Sequence, residues 1–397
     1  MSPLSPITAP EESPVAAPRT LRLPLDPLLT LAVIGLGICS VITLRSATRK
    51  LVPGHPDYYV DRQAIYLAVG LLCMLALSRI DYAVLRRYKN VIYGALIVSI
   101  LAVLGLGHSA QGAQRAIEFP LFSFQASELG KVLLIVSLSA FIVERSRRLR
   151  ERDTTARVMV AALVPTMFVI AQPDLGSGMV YMVIAYMLLF IAGSSWKHLG
   201  GLAALVVVAV AFVMVAAPAV GVNLLKPYQV ARLTAFLHPS SNPEKEGYQQ
   251  QESKIAIGAG QKTGLGAGGG QIEGGFVPES NTDFIFAAVG EQYGFVGAGL
   301  VLLLYALLLS RVLRVLVMSK DLFGSLIAAG VAAMLMFQVF VNVGMTIGIM
   351  PITGVTLPLM SYGGSSVITT LLAVGLLQSI YVQARASAAL KDRVVRY

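Results

Sequence analysis

The chain has 397 residues, of which 56% are hydrophobic and only 13% charged, and its mean hydropathy is +0.72. Soluble domains carry about 25% charged residues, so this composition excludes a soluble globular protein. The formal net charge of +10 bears on membrane topology, where the distribution of Lys and Arg matters more than their sum; nothing else in the sequence points to a nucleic-acid partner.

In chain order, residues 1–27 hold seven of the 19 prolines and two basic residues, a composition that resists folding. They are expected to form a disordered, Pro-rich cytoplasmic tail and not a signal peptide, because no apolar run precedes Leu28. Apolar runs then recur at 28–44, 63–78, 91–106, 129–143, 158–170, 179–192, 199–217, 284–310, 322–346 and 367–382. Each approaches the roughly 20 residues needed to cross about 30 Å of hydrocarbon as a helix, and none alternates as barrel strands do. The expected fold is an all-α integral membrane protein with about ten transmembrane helices in one domain, 28–384, followed by a basic cytoplasmic tail, 385–397. Cys39 and Cys73 both lie inside apolar runs, where a thiol acts as a small hydrophobe.

Lys and Arg concentrate in 79–89 and 144–157, which assigns these loops, and with them both termini, to the cytoplasm. The same parity places one large loop, about 218–282 between the seventh and eighth spans, outside. It is polar and glycine-rich and far longer than a connection requires. Its Gly264-Leu265-Gly266-Ala267-Gly268-Gly269 matches G-x-G-x-x-G without the strand–turn–helix context that a dinucleotide site needs. Two readings stay open: backbone amides of Gly258, Gly260, Gly264 and Gly266 could approach phosphates or sugar hydroxyls, or the stretch is a flexible linker.

The loop ends on Pro278-Glu279-Ser280-Asn281-Thr282-Asp283 before an apolar helix. Thr282 in an N-cap position would put Asp283 in the first helical turn, where amides and the helix dipole favour a carboxylate. That leaves capping and chemistry as alternatives for Asp283. Gly290 and Gly294 fall close to the Asp283 face and allow tight packing; Glu291 is rotated away and reads as a structural partner. Glu128 and Lys131 sit three apart at the start of the fourth span, a spacing that suits a local ion pair. Asp174, in the turn Gln172-Pro173-Asp174-Leu175-Gly176, needs a cavity or a partner at membrane depth. Arg115, in the turn 112–115, could fork onto a phosphate. Beyond the ninth span, 342–366 is rich in Gly, Pro and Ser, and non-helical backbone so near the membrane must be buried or face water. Ser365 and Ser366 lack any triad context and read as helix caps.

Together, Gly112-Ala113-Gln114-Arg115, Gln172-Pro173-Asp174-Leu175-Gly176, Pro278 to Phe286 and Ser361-Tyr362-Gly363-Gly364-Ser365-Ser366 resemble the SEDS (shape, elongation, division and sporulation) family of cell-wall glycosyltransferases over about 28–382. Asn342-Val343-Gly344-Met345 and Met350-Pro351-Ile352-Thr353-Gly354 look closer to its RodA branch than to FtsW. The resemblance implies polymerisation of lipid II, a polyprenyl-pyrophosphate-linked disaccharide pentapeptide, on the outer face of the bacterial cytoplasmic membrane, in cell elongation. It implies Asp283 as the catalytic residue, with Glu128, Lys131, Asp174, Arg115, Glu279 and Ser365 around the substrate. A divalent cation (Mg or Mn) could assist Lys131 or Arg115 against the departing phosphates, and no organic cofactor is expected. The implied partners are a class B penicillin-binding protein and other elongation-complex membrane proteins. The sequence departs from the family pattern at Ala116, where tryptophan is usual, and at Ala126, His238 and Gln292. A lipid II flippase and a non-catalytic scaffold for a transpeptidase are the competing functions.

Overall fold

The structure, a computed structural model, describes residues 25–49, 51–52, 54–106, 108–110, 113–118, 123–212, 246–266 and 270–394. Among these run twelve α-helices: α1 (Pro27–Ala47), α2 (Tyr58–Ser78), α3 (Ala83–Arg87), α4 (Lys89–Leu106), α5 (Ala126–Glu144), α6 (Arg152–Ala171), α7 (Leu175–Ile191), α8 (Trp196–Ala211), α9 (Glu246–Ala259), α10 (Ile285–Met318), α11 (Leu322–Ile347) and α12 (Gly364–Val394). Eight of them, α1, α2, α4, α5, α6, α10, α11 and α12, are long and apolar enough to cross a membrane, and α7 and α8 are shorter apolar helices. These ten correspond one to one with the expected spans.

Lipid offers no hydrophobic drive between helices, so close contact depends on small residues. Gly330 of α11 lies where an added Cβ would come within 2.8 Å of Ile135 of α5, and Gly70 of α2 where it would come within 2.3 Å of Leu371 of α12. α5, α11 and α12 thus form the centre, each with 78% of its most apolar stretch buried, against 17% for the peripheral α4.

Several boundaries differ from the sequence expectation. α1 starts at Pro27 because Asp26 caps it, its carboxylate accepting from the amides of Leu28 and Leu29. Asp26 is fully buried and pairs with Arg311 of α10 at 2.5 Å, while its amide donates to Gln378 of α12; it belongs to the bundle, not to a tail. At the other end α12 continues through Val394, so most of the basic tail is helical. Of the expected turn 112–115, residues 113–115 instead belong to a small antiparallel sheet, β1 (His108–Ala110), β2 (Ala113–Glu118) and β3 (Ser123–Phe124), in that order, and Gly112 lies outside the described residues. Of the large loop, 218–245, with His238, and 267–269 lie outside the described residues, as does 213–217 at the end of the seventh expected span; the described part of the loop contains α9.

Residues 348–363, between α11 and α12, are non-helical, and Ile352, Val355 and the run Leu357 to Ser361 are buried. Backbone carbonyls away from water require donors, and five helices supply them. Ser40 Oγ of α1 donates to Met360 O (2.7 Å), Gln63 Nε2 of α2 to Ser361 O (3.2 Å), Gln250 Nε2 of α9 to Met350 O (3.0 Å), Tyr305 Oη of α10 to Pro358 O (2.6 Å), and Asn342 Nδ2 of α11 to Val355 O (2.8 Å). This buried segment is the hub on which the candidate site is built.

Candidate active site

Asp283 is half-buried in the turn that leads into α10. The helix begins at Ile285 and its N-cap is Phe284, with no side-chain capping bond. Thr282 therefore is not the cap, and its hydroxyl instead donates to Glu279 Oε2 at 2.8 Å. Asp283 lies outside the first helical turn, which removes the capping explanation for its carboxylate. The turn is held through three successive carbonyls. Asn281 O accepts from the Tyr362 amide (2.9 Å), Thr282 O from Ser361 Oγ (2.6 Å), and Asp283 O from Asn342 Nδ2 (2.8 Å). All three donors belong to α11 or the hub.

Glu128 and Lys131 are 5% and 1% exposed on α5 and form an ion pair at 2.5 Å. Asp174 caps α7, its Oδ1 accepting from the Ser177 amide (3.0 Å), and its Oδ2 accepts from Ser127 Oγ (2.8 Å) and Gln125 Nε2 (3.2 Å). Tyr181 Oη of α7 donates to Ser127 O. The start of α5 and the start of α7 are thereby locked together, which gathers Glu128, Lys131 and Asp174 at one junction. That junction meets the hub at Gly176, where an added Cβ would lie 2.9 Å from Thr353 O and 2.7 Å from Val355 Cγ2. Val355 O shares the Asn342 amide with Asp283 O, so the Asp283 turn and the α5–α7 junction border the same short stretch of backbone.

Ser365 ties the first turn of α12 to the entry of α5: its Oγ donates to Ser123 O (2.7 Å) and accepts from the Gln125 amide (2.9 Å). Arg115 is in β2, and the backbone of Ala116 pairs with His108 in β1.

Over its described residues the glycine-rich stretch is neither a linker nor an open amide cradle. α10 is broken at Gly294 (φ 61°, ψ −159°), and residues 261–266 enter the break. The amides of Leu265 and Gly266 donate to Glu291 O and Gln292 O (2.9 and 3.1 Å), while those of Phe295 and Val296 donate to Gln261 O and Lys262 O (2.9 and 3.1 Å). The amides of Gly260 and Gly264 bond to Ala256 O and Gly260 O, and Gly258 sits inside α9, so the amides suggested for ligand contact are bonded within the protein. Gly264 could not be replaced: at φ 86° an added Cβ would lie 2.1 Å from Gln292 O. Glu291 fastens the same loop, its carboxylate accepting from the amides of Gln271 (2.5 Å) and Ile272 (3.0 Å). α9 closes the arrangement by satisfying the end of α11, with Gln250 Nε2 donating to Met345 O and Ser253 Oγ to Thr346 O.

Among the described residues no three His, Cys, Asp or Glu side chains come together. These described side chains do not build a cation cage by themselves; a hard cation held by one or two carboxylates together with substrate phosphates needs none.

Comparison with known proteins agrees with this architecture. A sequence profile for FtsW, RodA and SpoVE, described as "Cell cycle protein", matches residues 25–386. The chain is 34% identical over 358 residues to a probable peptidoglycan glycosyltransferase FtsW of Geobacter metallireducens, covering 89% of this chain and 92% of that one. It is 35% identical over 363 residues to the peptidoglycan glycosyltransferase MrdB of Escherichia coli K12, covering 91% and 94%. Among solved structures it resembles a chain described under "Structural coordination of polymerization and crosslinking by a peptidoglycan synthase complex", with TM-score 0.75, 30% identity and coverage of 91% and 99%. It also resembles the rod shape determining protein RodA of Thermus thermophilus, with TM-score 0.64, 28% identity and coverage of 92% and 98%. A largely helical, multi-pass bundle whose hub fixes the Asp283 turn, matched along nearly its whole length by these relatives, belongs to the FtsW/RodA/SpoVE family of peptidoglycan glycosyltransferases.

Proposed function

We propose that this protein polymerises lipid II on the outer face of the bacterial cytoplasmic membrane, with both termini inside, and that Asp283 is its general base. The observation that carries the assignment is the immobilised turn: three successive carbonyls, Asn281 to Asp283, are each bonded to the hub or α11. Such fixation suits a catalytic group that must stay within hydrogen-bond reach of its proton. The acceptor sugar hydroxyl attacks the donor's anomeric carbon and gives its proton to Asp283 as the bond to the pyrophosphate breaks. The polyprenyl pyrophosphate departs, and glycosyl transfer proceeds with inversion.

Glu128, Lys131 and Asp174 form the polar wall for the donor head group, with Glu279, Ser365 and Arg115 nearer the loops. Positive charge opposite the leaving phosphates stabilises the departing group. Lys131 and Arg115 fit that role by charge, and a Mg or Mn ion shared with the substrate phosphates would add to it. Its partner is a class B penicillin-binding protein, and its role is elongation. The resemblance to a chain of a synthase complex supports the first, and the residues 342–345 and 350–354 support the second.

The deciding experiment reconstitutes the protein with a class B penicillin-binding protein in vesicles containing lipid II. Glycan strands and released polyprenyl pyrophosphate are the expected products. Lipid II crossing the bilayer with no polymer formed would contradict the assignment in favour of a flippase.

A further inference from the structure

A lateral groove of about 370 Å³ opens between α1 and α10. Cys39 and Ile42 of α1 form one wall, Val289, Tyr293 and Val296 of α10 the other, and Thr263 of the inserted loop borders it. We propose that this groove holds the isoprene units nearest the pyrophosphate of the lipid-linked donor, and of the polyprenyl pyrophosphate left after transfer. The inference rests on the donor assignment made above.

Four observations carry it. The wall is largely hydrocarbon, and the Tyr293 hydroxyl is bonded to Ile42 O at 3.4 Å, so the groove suits an unfunctionalised chain. It also lies at the correct end of the bundle. α1 contributes from its second half and α10 from its first half, and Val289 is four residues, about 6 Å at 1.5 Å per helical residue, from the Ile285 start of α10. A chain in the groove therefore runs toward Asp283 along the helix that Asp283 introduces.

The groove also coincides with the α10 break, whose Gly294 lies between the wall residues Tyr293 and Val296. Further from the Asp283 end, the same two helices are close, with an added Cβ on Gly35 reaching Leu304 at 3.1 Å. The amides of Phe295 and Val296 and the carbonyls of Glu291 and Gln292, at the break, are bonded to residues 261–266, so these groups do not compete with an apolar ligand. Finally, Ile42 and Val296 are 51% and 64% exposed, leaving the groove open to the side. A prenyl chain enters from the bilayer without leaving hydrocarbon.

The test compares two donors with one head group, one carrying a long polyprenyl chain and one a short ethyl group in place of the prenyl chain, on the full-length protein with its transpeptidase. Ile42→Trp and Val296→Trp fill the groove, and Leu303→Trp, on a 69% exposed face of α10, is the control. The groove variants are expected to lose at least tenfold in turnover with the long-chain donor and less than twofold with the short one, the control changing neither. Equal loss with both donors, or no loss, overturns the proposal.

A second readout does not require polymerisation. A polyprenyl pyrophosphate bearing a diazirine in its first isoprene units is expected to label residues 39–43 and 289–301, less so in Ile42→Trp. Labelling of these residues by a diazirine phospholipid, undiminished by excess polyprenyl pyrophosphate, would assign the groove to bulk lipid and overturn the proposal. Failure of wild type to polymerise, with prenyl labelling intact, would count against the glycosyltransferase reading and leave the groove assignment standing.

Discussion

The side-chain amide of Asn342 donates to two carbonyls at once, Asp283 O and Val355 O, each at 2.8 Å. One buried residue of α11 thus joins the acidic turn to the backbone stretch that also packs against Gly176 at the start of α7. Replacing Asn342 by Asp keeps the size and removes the donor. Leaving buried carbonyls unpaired costs about 1–3 kcal/mol each, so Asn342→Asp is expected to lower the thermal midpoint in detergent. It should also reduce polymerisation at temperatures where the protein stays folded. An unchanged rate in folded Asn342→Asp would show that the turn needs no such tether.

The loop that enters the α10 break should depend on Glu291, which accepts two backbone amides through one carboxylate. Hydrogen bonds to a charged group contribute about 1.5–3 kcal/mol. Glu291→Ala is therefore expected to raise amide exchange across 262–275 by one to two orders of magnitude while α5 and α11 stay protected. Exchange mass spectrometry reads this directly.

Gly264→Ala combines a left-handed backbone with a 2.1 Å approach to Gln292 O, and should expel the loop from the break. The expected outcome is protease sensitivity near 260–266 and loss of polymerisation, with the bundle still folded. Gly258→Ala, in open space on α9, is the matching control and should behave as wild type.

At the opposite end of the bundle, Arg311→Ala leaves the buried Asp26 carboxylate without its partner. Breaking such a pair costs about 3–5 kcal/mol, whereas removing both charges is often near neutral. The double variant Asp26→Asn, Arg311→Met is expected to recover much of the thermal stability that Arg311→Ala loses. A double variant as unstable as the single one would contradict the assignment of this pair.

The ten apolar helices were legible because their lengths and compositions are dictated by the bilayer. α9 was not, and the reason is physical. Its buried positions include Gln250, Ser253 and Ala256, a face of polar and small residues that meets carbonyls of α11 and so gives no hydrophobic period. The break at Gly294 was hidden too, since a glycine in an apolar run reads equally as close packing, and only the bonds from Gln261 and Lys262 show the difference. Thr282 next to Asp283 carried a strong local capping signal, overridden by the bonds that hold Asn281, Thr282 and Asp283 to the hub. Glu291 was read as a structural partner and is one. The Glu128–Lys131 pair followed from their spacing, whereas Ser127 and Gln125 as partners of Asp174 required the three-dimensional contact of α5 with α7.

The proposed role of the Asp283 carboxylate as a base is tested most directly by glycan polymerisation from purified lipid II by wild type and by Asp283→Asn, each bound to its transpeptidase. The carbonyl bonds of the turn are backbone interactions, so the isosteric change should preserve the fold, as amide exchange at 278–290 can verify. General-base catalysis contributes about 10²- to 10⁴-fold, and a loss of that size in folded Asp283→Asn is the predicted result. Polymerisation by Asp283→Asn at the wild-type rate would contradict it.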